Sequence, residues 1–172
     1  LKDLSIHDIF FEPPGFKRGE DEVRTANGSQ NYGWGIRAIN RTEGALIKNI
    51  EINDSHIQNV AHTGIKFTSF TKGIQGIKVF NNEVLFTGGP GIQMSGVHDG
   101  IIKNNIVNYS GSTDDSRKWG RGSGLWTWGS SNIIIEHNEF KNANGPGDSA
   151  GCHIDFNCKN IIVQNNFSYR NA

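Results

Sequence analysis

Asp155, Asp148, Asp114, Asp115 and His153 are the side chains of this sequence best suited to handle protons in concert. Cleaving a glycosidic bond takes two carboxyl groups: one protonates the leaving oxygen, the other activates water or attacks carbon, and their separation selects the stereochemical outcome. Asp155 with Asp114 or Asp115 is the leading pair, and Asp148 is a third candidate. His153 stands two residues before Asp155, where it would orient a substrate or tune the carboxylate. A second chemistry, β-elimination from a uronic acid, needs a base near the C5 proton and a cation for the carboxylate of the intermediate. Arg37 and Lys66 would serve it, with Arg117, Lys118 and Arg121 holding an anionic polymer. Trp126 and Trp128 alternate across Thr127, so they share a face and would offer two flat apolar plates to sugar C–H groups, with Trp119 as a wall.

Residues so scattered act together only if the fold stacks them, and a recurrence in the chain says how. Five times a glycine is followed by an apolar, a variable and a usually apolar residue: Gly35-Ile36-Arg37-Ala38, Gly64-Ile65-Lys66-Phe67, Gly91-Ile92-Gln93-Met94, Gly124-Leu125-Trp126-Thr127 and Gly151-Cys152-His153-Ile154. The glycines are 29, 27, 33 and 27 residues apart. At that period one repeat is a unit too small to bury its own apolar face, so each needs its neighbours. A second series runs in step: Ile52 with Ser55, Val79 with Asn82, Ile102 with Asn105, Ile135 with Asn138 and Val163 with Asn166, at intervals of 27, 23, 33 and 28. Both series lengthen around residues 110–123, which marks an insertion.

The runs around Ile52, Val79, Ile102, Ile135 and Val163 are short, β-branched and bounded by Gly, Asn, Asp and Ser turns. No stretch holds a clean helical period, so few or no helices are expected. A propeller blade would need four antiparallel strands in a longer repeat, whereas these repeats hold two or three strands. An all-β solenoid of parallel coils follows, stacked about 4.8 Å apart. Strand parity sends Ile36, Ile65, Ile92, Leu125 and Cys152 inward, with Ala38, Phe67, Met94, Thr127 and Ile154 as a second inner row. Arg37, Lys66, Gln93, Trp126 and His153 then point outward, beside Ile39, Thr68, Ser95, Trp128 and Asp155, as an open sugar-binding floor. The insertion precedes the Trp126 strand, so Asp114 and Asp115 would overhang Asp155 across roughly the 6.5–9.5 Å that inversion requires. Asparagines 82, 105, 138 and 166 read as structural, their amides bonding to backbone groups of adjacent coils.

Phrases such as Asn132-Ile133-Ile134-Ile135-Glu136-His137-Asn138, and the segment from His153 to Asn166, resemble the right-handed parallel β-helix repeat proteins, a group with many secreted polysaccharide-processing enzymes. The resemblance covers residues 35–171, with a fainter coil from Leu4 to Phe10. It implies a right-handed helix of about six coils, a polysaccharide or oligosaccharide partner, and a secreted, periplasmic or cell-surface location. The paired aspartates are similar to those of β-helical glycosidases, while Lys66 and Arg37 resemble the basic pairs of some β-helical alginate and pectin lyases. The Asn-Thr-Asp and Gly-His-Gly motifs of the polygalacturonase type do not occur here. Such helices also include adhesins, so three readings stand: hydrolase first, then lyase, then a non-catalytic binding solenoid.

Other features bound these readings. Seventeen basic and seventeen acidic residues give zero net charge with no basic block, which argues against nucleic acid. No apolar run reaches the length of a helical membrane span. Acidic loops bind calcium in many β-helices, yet no dense oxygen-ligand motif occurs here, and no other cofactor is implied. Cys152 reads as a buried thiol, and no disulfide with Cys158 is expected. The chain reads as one solenoid over residues 1–172 with inserts at 12–34 and 110–123. The first insert would lie over the Arg37 face, with Trp34 or Tyr32 lining a subsite. Val163, Phe167 and Tyr169 have nothing after them to cover them, so the chain is expected to be part of a larger protein, with remaining coils from the same or a companion chain.

Overall fold

The computed structural model describes residues 1–9, 33–111, 122–145 and 147–172. Strands are numbered in chain order. The first coil holds β1 (Ser5–Ile9), β2 (Ile36–Asn40), β3 (Ile47–Lys48) and β4 (Glu51–Asn53). The second holds β5 (His56–Val60), β6 (Ile65–Ser69) and β7 (Ile74–Phe80), and the third β8 (Glu83–Thr87), β9 (Ile92–Ser95) and β10 (Val97–Lys103). The fourth holds β11 (Ile106–Ser110), β12 (Leu125–Trp128) and β13 (Ser131–Glu136), and the fifth β14 (Glu139–Lys141), β15 (Cys152–Ile154) and β16 (Lys159–Gln164). β17 (Phe167–Tyr169) opens a sixth.

Every third strand stacks in parallel, giving three sheets: β1-β5-β8-β11-β14-β17, then β2-β6-β9-β12-β15, and β3-β7-β10-β13-β16 with β4 also paired to β7. This is a right-handed parallel β-helix of about six coils. No helix occurs among the described residues.

The inner rows follow the parity read from the sequence. Ile36 pairs with Ile65, Ile65 with Ile92, Leu125 with Ile92 and with Cys152. Ile65, Ile92 and Leu125 are completely buried, as are Phe67, Met94 and Thr127 in the neighbouring row. Ile57, Val84, Val107 and Phe140 fill the core from the first sheet, and Ile52, Val79, Ile102 and Ile135 from the third. Each such side chain is worth about 1.5–3 kcal/mol on burial, so the rows hold the coils together. Exposure rises to 43% at Ile154 and 42% at Val163, the last members of their rows. Cys152 and Cys158 are free thiols, and burial pushes the Cys152 thiol up to about 12, leaving it protonated and unreactive.

The repeated glycine marks the corner between the first and second sheets. There the carbonyl of each glycine accepts the N–H of the residue that follows the previous coil's glycine: Ile65 N–H to Gly91 at 2.9 Å and Ile92 N–H to Gly124 at 2.9 Å. A Cβ on Gly91 would stand 2.2 Å from Val107 Cγ1 and 2.8 Å from the Gly124 carbonyl oxygen. The backbones approach too closely for any side chain, and the same holds at Gly64 and Gly124. Gly91→Ala should therefore lower stability by about 2–3 kcal/mol, the upper part of the overpacking range because a ladder carbonyl cannot give way. Urea unfolding checks this, and an unchanged midpoint would remove the steric account.

A second corner, between the third and first sheets, takes one left-handed residue per coil: Asp54, Asn81, Asn104, His137 and Asn165 have φ between 50° and 57°. Asn and Asp tolerate that region best among residues with a side chain. The next residue in each coil builds an amide ladder. Asn82, Asn105, Asn138 and Asn166 accept through Oδ1 from the backbone N–H of Ser55, Asn82, Asn105 and Asn138, at 2.9–3.1 Å. The structural role read for these asparagines is borne out.

Candidate functional site

The outer face of the second sheet carries the outward residues in the expected order. Arg37 pairs with Lys66, Lys66 with Gln93, and Trp126 with both Gln93 and His153. Ile39, Thr68, Ser95 and Trp128 form the parallel row. Asp155 extends that row, since its N–H donates to the Thr127 carbonyl at 2.9 Å and continues the ladder one residue beyond β15.

The floor is not uniformly open, which corrects the expectation from the sequence. Lys66 and Gln93 leave the outer face as the register requires, yet each is 1% exposed, and Thr68 and Ser95 are also buried. Trp34 lies over this end of the sheet. The Arg37 guanidinium is 3.9 Å from its ring centroid, the Lys66 ammonium 5.7 Å, and the His62 ring centroid 5.1 Å away at a 36° tilt. Stacking cations on an indole compensates part of their lost hydration. Burial, and then the like charge of Arg41, pull the Arg37 pKa down from its usual value. Behind this cluster His62 Nδ1 and Thr63 Oγ1 share a 2.7 Å hydrogen bond, and both residues are completely buried. Thr63 Oγ1 reaches Gln93 Oε1 at 3.4 Å and Gln93 Nε2 reaches Ser95 Oγ at 3.5 Å, two long contacts that position the Gln93 amide.

Two coils further on, the face opens. Trp126 and Trp128 share it, but Trp126 is 6% exposed and Trp128 39%. The difference has a partner: Trp126 Nε1 donates to Asp155 Oδ2 at 3.1 Å, so the side chain of the next coil closes over the indole edge. Asp155 Oδ1 accepts from the Phe156 N–H at 2.8 Å. Both carboxyl oxygens thus act as acceptors, with lone pairs to spare for a substrate or water. His153 is half-buried beside Trp126 in the register.

Asp148 and Asp155 stand at opposite ends of β15, so the strand separates that pair; the Asp148 carbonyl accepts from Gly122 N–H at 2.8 Å and ties the turn to the previous coil. Asp114, Asp115, Arg117 and Trp119 lie outside the described residues, as does Tyr32. Among the described residues no three His, Cys, Asp or Glu side chains converge to hold a metal ion. His62 and Thr63 were not singled out from the sequence. The position of Thr63 carries a different residue in every coil, and that of His62 is glycine in three of the other four, so neither column points to a polar side chain.

The model of the right-handed β-helix region matches residues 34–172, which is most of the chain and includes every outward row above. This chain belongs to the right-handed β-helix family. No curated protein and no solved structure matches it significantly. The β-helix superfamily includes many glycosidases, and the fold is consistent with it. In this β-helix the half-buried Arg37, the buried Lys66 and Gln93, the Asp155 carboxylate and the exposed Trp128 ring lie on one sheet face.

Proposed function

We propose that this β-helix is a carbohydrate-active protein that binds a glycan along the outer face of the second sheet and hydrolyses a glycosidic bond at Asp155. One observation carries the reading: a carboxylate fixed by two donors, the Trp126 indole and the Phe156 N–H, stands in register beside the exposed ring of Trp128. Trp128 would take the C–H face of a sugar, and Asp155 would take a proton from the water that attacks the anomeric carbon. The leaving oxygen needs a proton from a second carboxyl group, assigned to Asp114 or Asp115 in the insertion between β11 and β12.

The test is a panel of neutral and acidic polysaccharides assayed for two products at once. New reducing ends without a new double bond support hydrolysis. A β-elimination reading is kept for one reason, the Arg37 and Lys66 row, whose cations would stabilise a uronate intermediate. It requires near-ultraviolet absorbance from an unsaturated product. Glycan binding with neither product would make the face a recognition surface, and absence of both binding and products across the panel would end the carbohydrate reading.

A further inference from the structure

We propose that the outer face of the third sheet docks a second copy of this chain, packed face to face with its coils running the opposite way. The surface lies on a different sheet from Asp155 and Trp128 and does not depend on what they do. Ile101, Ile134 and Ile162 stand in register on β10, β13 and β16 and form an apolar row that points out of the solenoid. Ile101, in the middle of the stack, is 40% exposed, Ile134 is half-buried and Ile162 is exposed. The core does not need them, because Ile102 and Ile135 already fill it from the same strands. In the preceding coils the same row carries Glu51 and Lys78, both exposed, as a face in water would. A contiguous apolar row on an otherwise polar sheet face marks a place where a partner binds. Both insertions join the first sheet to the second, so neither enters or leaves the chain beside this row.

The pattern of charge identifies the partner. Lys103 and Glu136 flank the row in register, one coil apart, and pair at 3.1 Å. A two-fold axis parallel to the strands and midway between β10 and β13 keeps each row opposite itself and exchanges these two coils. It sets Ile101 against Ile134 of the second copy, and Lys103 against Glu136 of the second copy. The stem of Lys78 then covers Ile162 of the second copy, with its ammonium free to reach water. Association joins two existing ion pairs into a ring of alternating charge and leaves no charge in the contact unpaired. A surface that complements itself in both apolar groups and charge fits a copy of itself. The four strands β7, β10, β13 and β16, about 4.8 Å apart and about 20 Å long, give a footprint of roughly 400 Å² per copy, the small end of specific interfaces. The dimer is accordingly weak and reversible, with a dissociation constant of roughly 10 to 100 μM.

The experiment is sedimentation velocity of the whole chain at low salt, from about 1 to 300 μM, a range that brackets the expected constant. A monomer–dimer equilibrium that stops at the dimer is expected. Ile101→Thr and Ile134→Thr keep a β-branched side chain at an outward strand position. Each should weaken the dimer about 10- to 100-fold, since the axis removes every lost contact twice. Lys103→Glu alone gathers four carboxylates at the contact and Glu136→Lys alone gathers four ammonium groups, so each variant should stay monomeric. Mixed one to one they should associate again, because each supplies the charge that the other lacks, and that recovery also shows both variants folded. A wild type that stays monomeric across the range, or a dimer indifferent to the isoleucine and charge substitutions, would overturn the proposal. So would a mixture no more associated than its two components. End-to-end stacking of coils would continue past the dimer into longer species, and that result too would overturn it.

Discussion

Asp155→Asn should lower glycan hydrolysis by about 10²- to 10⁴-fold, the range set by loss of a positioned acid or base, with the fold retained. The reason lies in the two bonds that fix the side chain. Asn retains one carbonyl oxygen, enough to accept from either Trp126 Nε1 or the Phe156 N–H, while its amide cannot take a proton from water. The displaced donor sits at a partly exposed site where solvent can satisfy it, so the structural cost stays near 1 kcal/mol. Trp128 is untouched, and so is the Arg37 end of the face. The loss should therefore fall on kcat with KM little changed, the signature of an interaction needed only at the transition state. A variant that keeps full activity would remove Asp155 from the mechanism. One that loses activity through a raised KM alone would make Asp155 a binding group.

The same residues show what a repeat sequence can and cannot reveal. Gly64, Gly91 and Gly124 were legible because each coil imposes the same demand, a backbone carbonyl and a core side chain where a Cβ would be. A demand repeated in space becomes a column in the sequence. Asn82, Asn105 and Asn138 were legible for the same reason. Columns then gave parity, and parity gave the face from which Lys66, Gln93 and Trp126 depart. They could not give what lies over that face. Trp34 precedes the first repeat and belongs to no column, yet it stacks on Arg37 and Lys66. Trp126 and Trp128 are indistinguishable by parity, yet Trp126 is buried and donates to the next coil's Asp155 while Trp128 stays exposed. Stacking rules are periodic and leave a mark, whereas a site is a local exception to the period.

The strongest consequence of the periodic part is at Asn105. Asn105→Ala should cost about 3–5 kcal/mol in urea unfolding, the sum of a few orphaned buried groups at about 1–3 kcal/mol each. The Asn105 side chain is completely buried. Its Oδ1 accepts from the Asn82 backbone N–H at 3.0 Å and from Asn82 Nδ2 at 2.9 Å, while its Nδ2 donates to the Val79 carbonyl at 2.9 Å, the Lys103 carbonyl at 3.0 Å and Asn138 Oδ1 at 2.9 Å. Alanine leaves the Asn82 N–H without its acceptor in a corner closed to water, and takes the amide donor from two carbonyls. Domains of ordinary stability hold about 5–15 kcal/mol in all, so the loss should be visible without fitting subtleties. Asn105→Asp separates the ladder from simple packing, because it conserves volume. It keeps an acceptor for Asn82 but sets a carboxylate against Asn138 Oδ1 with no donor to give. Burial and that neighbouring acceptor raise the folded-state pKa of the new carboxyl above its unfolded value. Its protonated form can donate, so this variant should be most stable below the unfolded carboxyl pKa and lose stability as pH rises through the folded one. If Asn105→Ala unfolds at the wild-type urea concentration and Asn105→Asp shows no such pH dependence, the coils are held by their apolar rows alone and the amide ladder only follows the shape those rows impose.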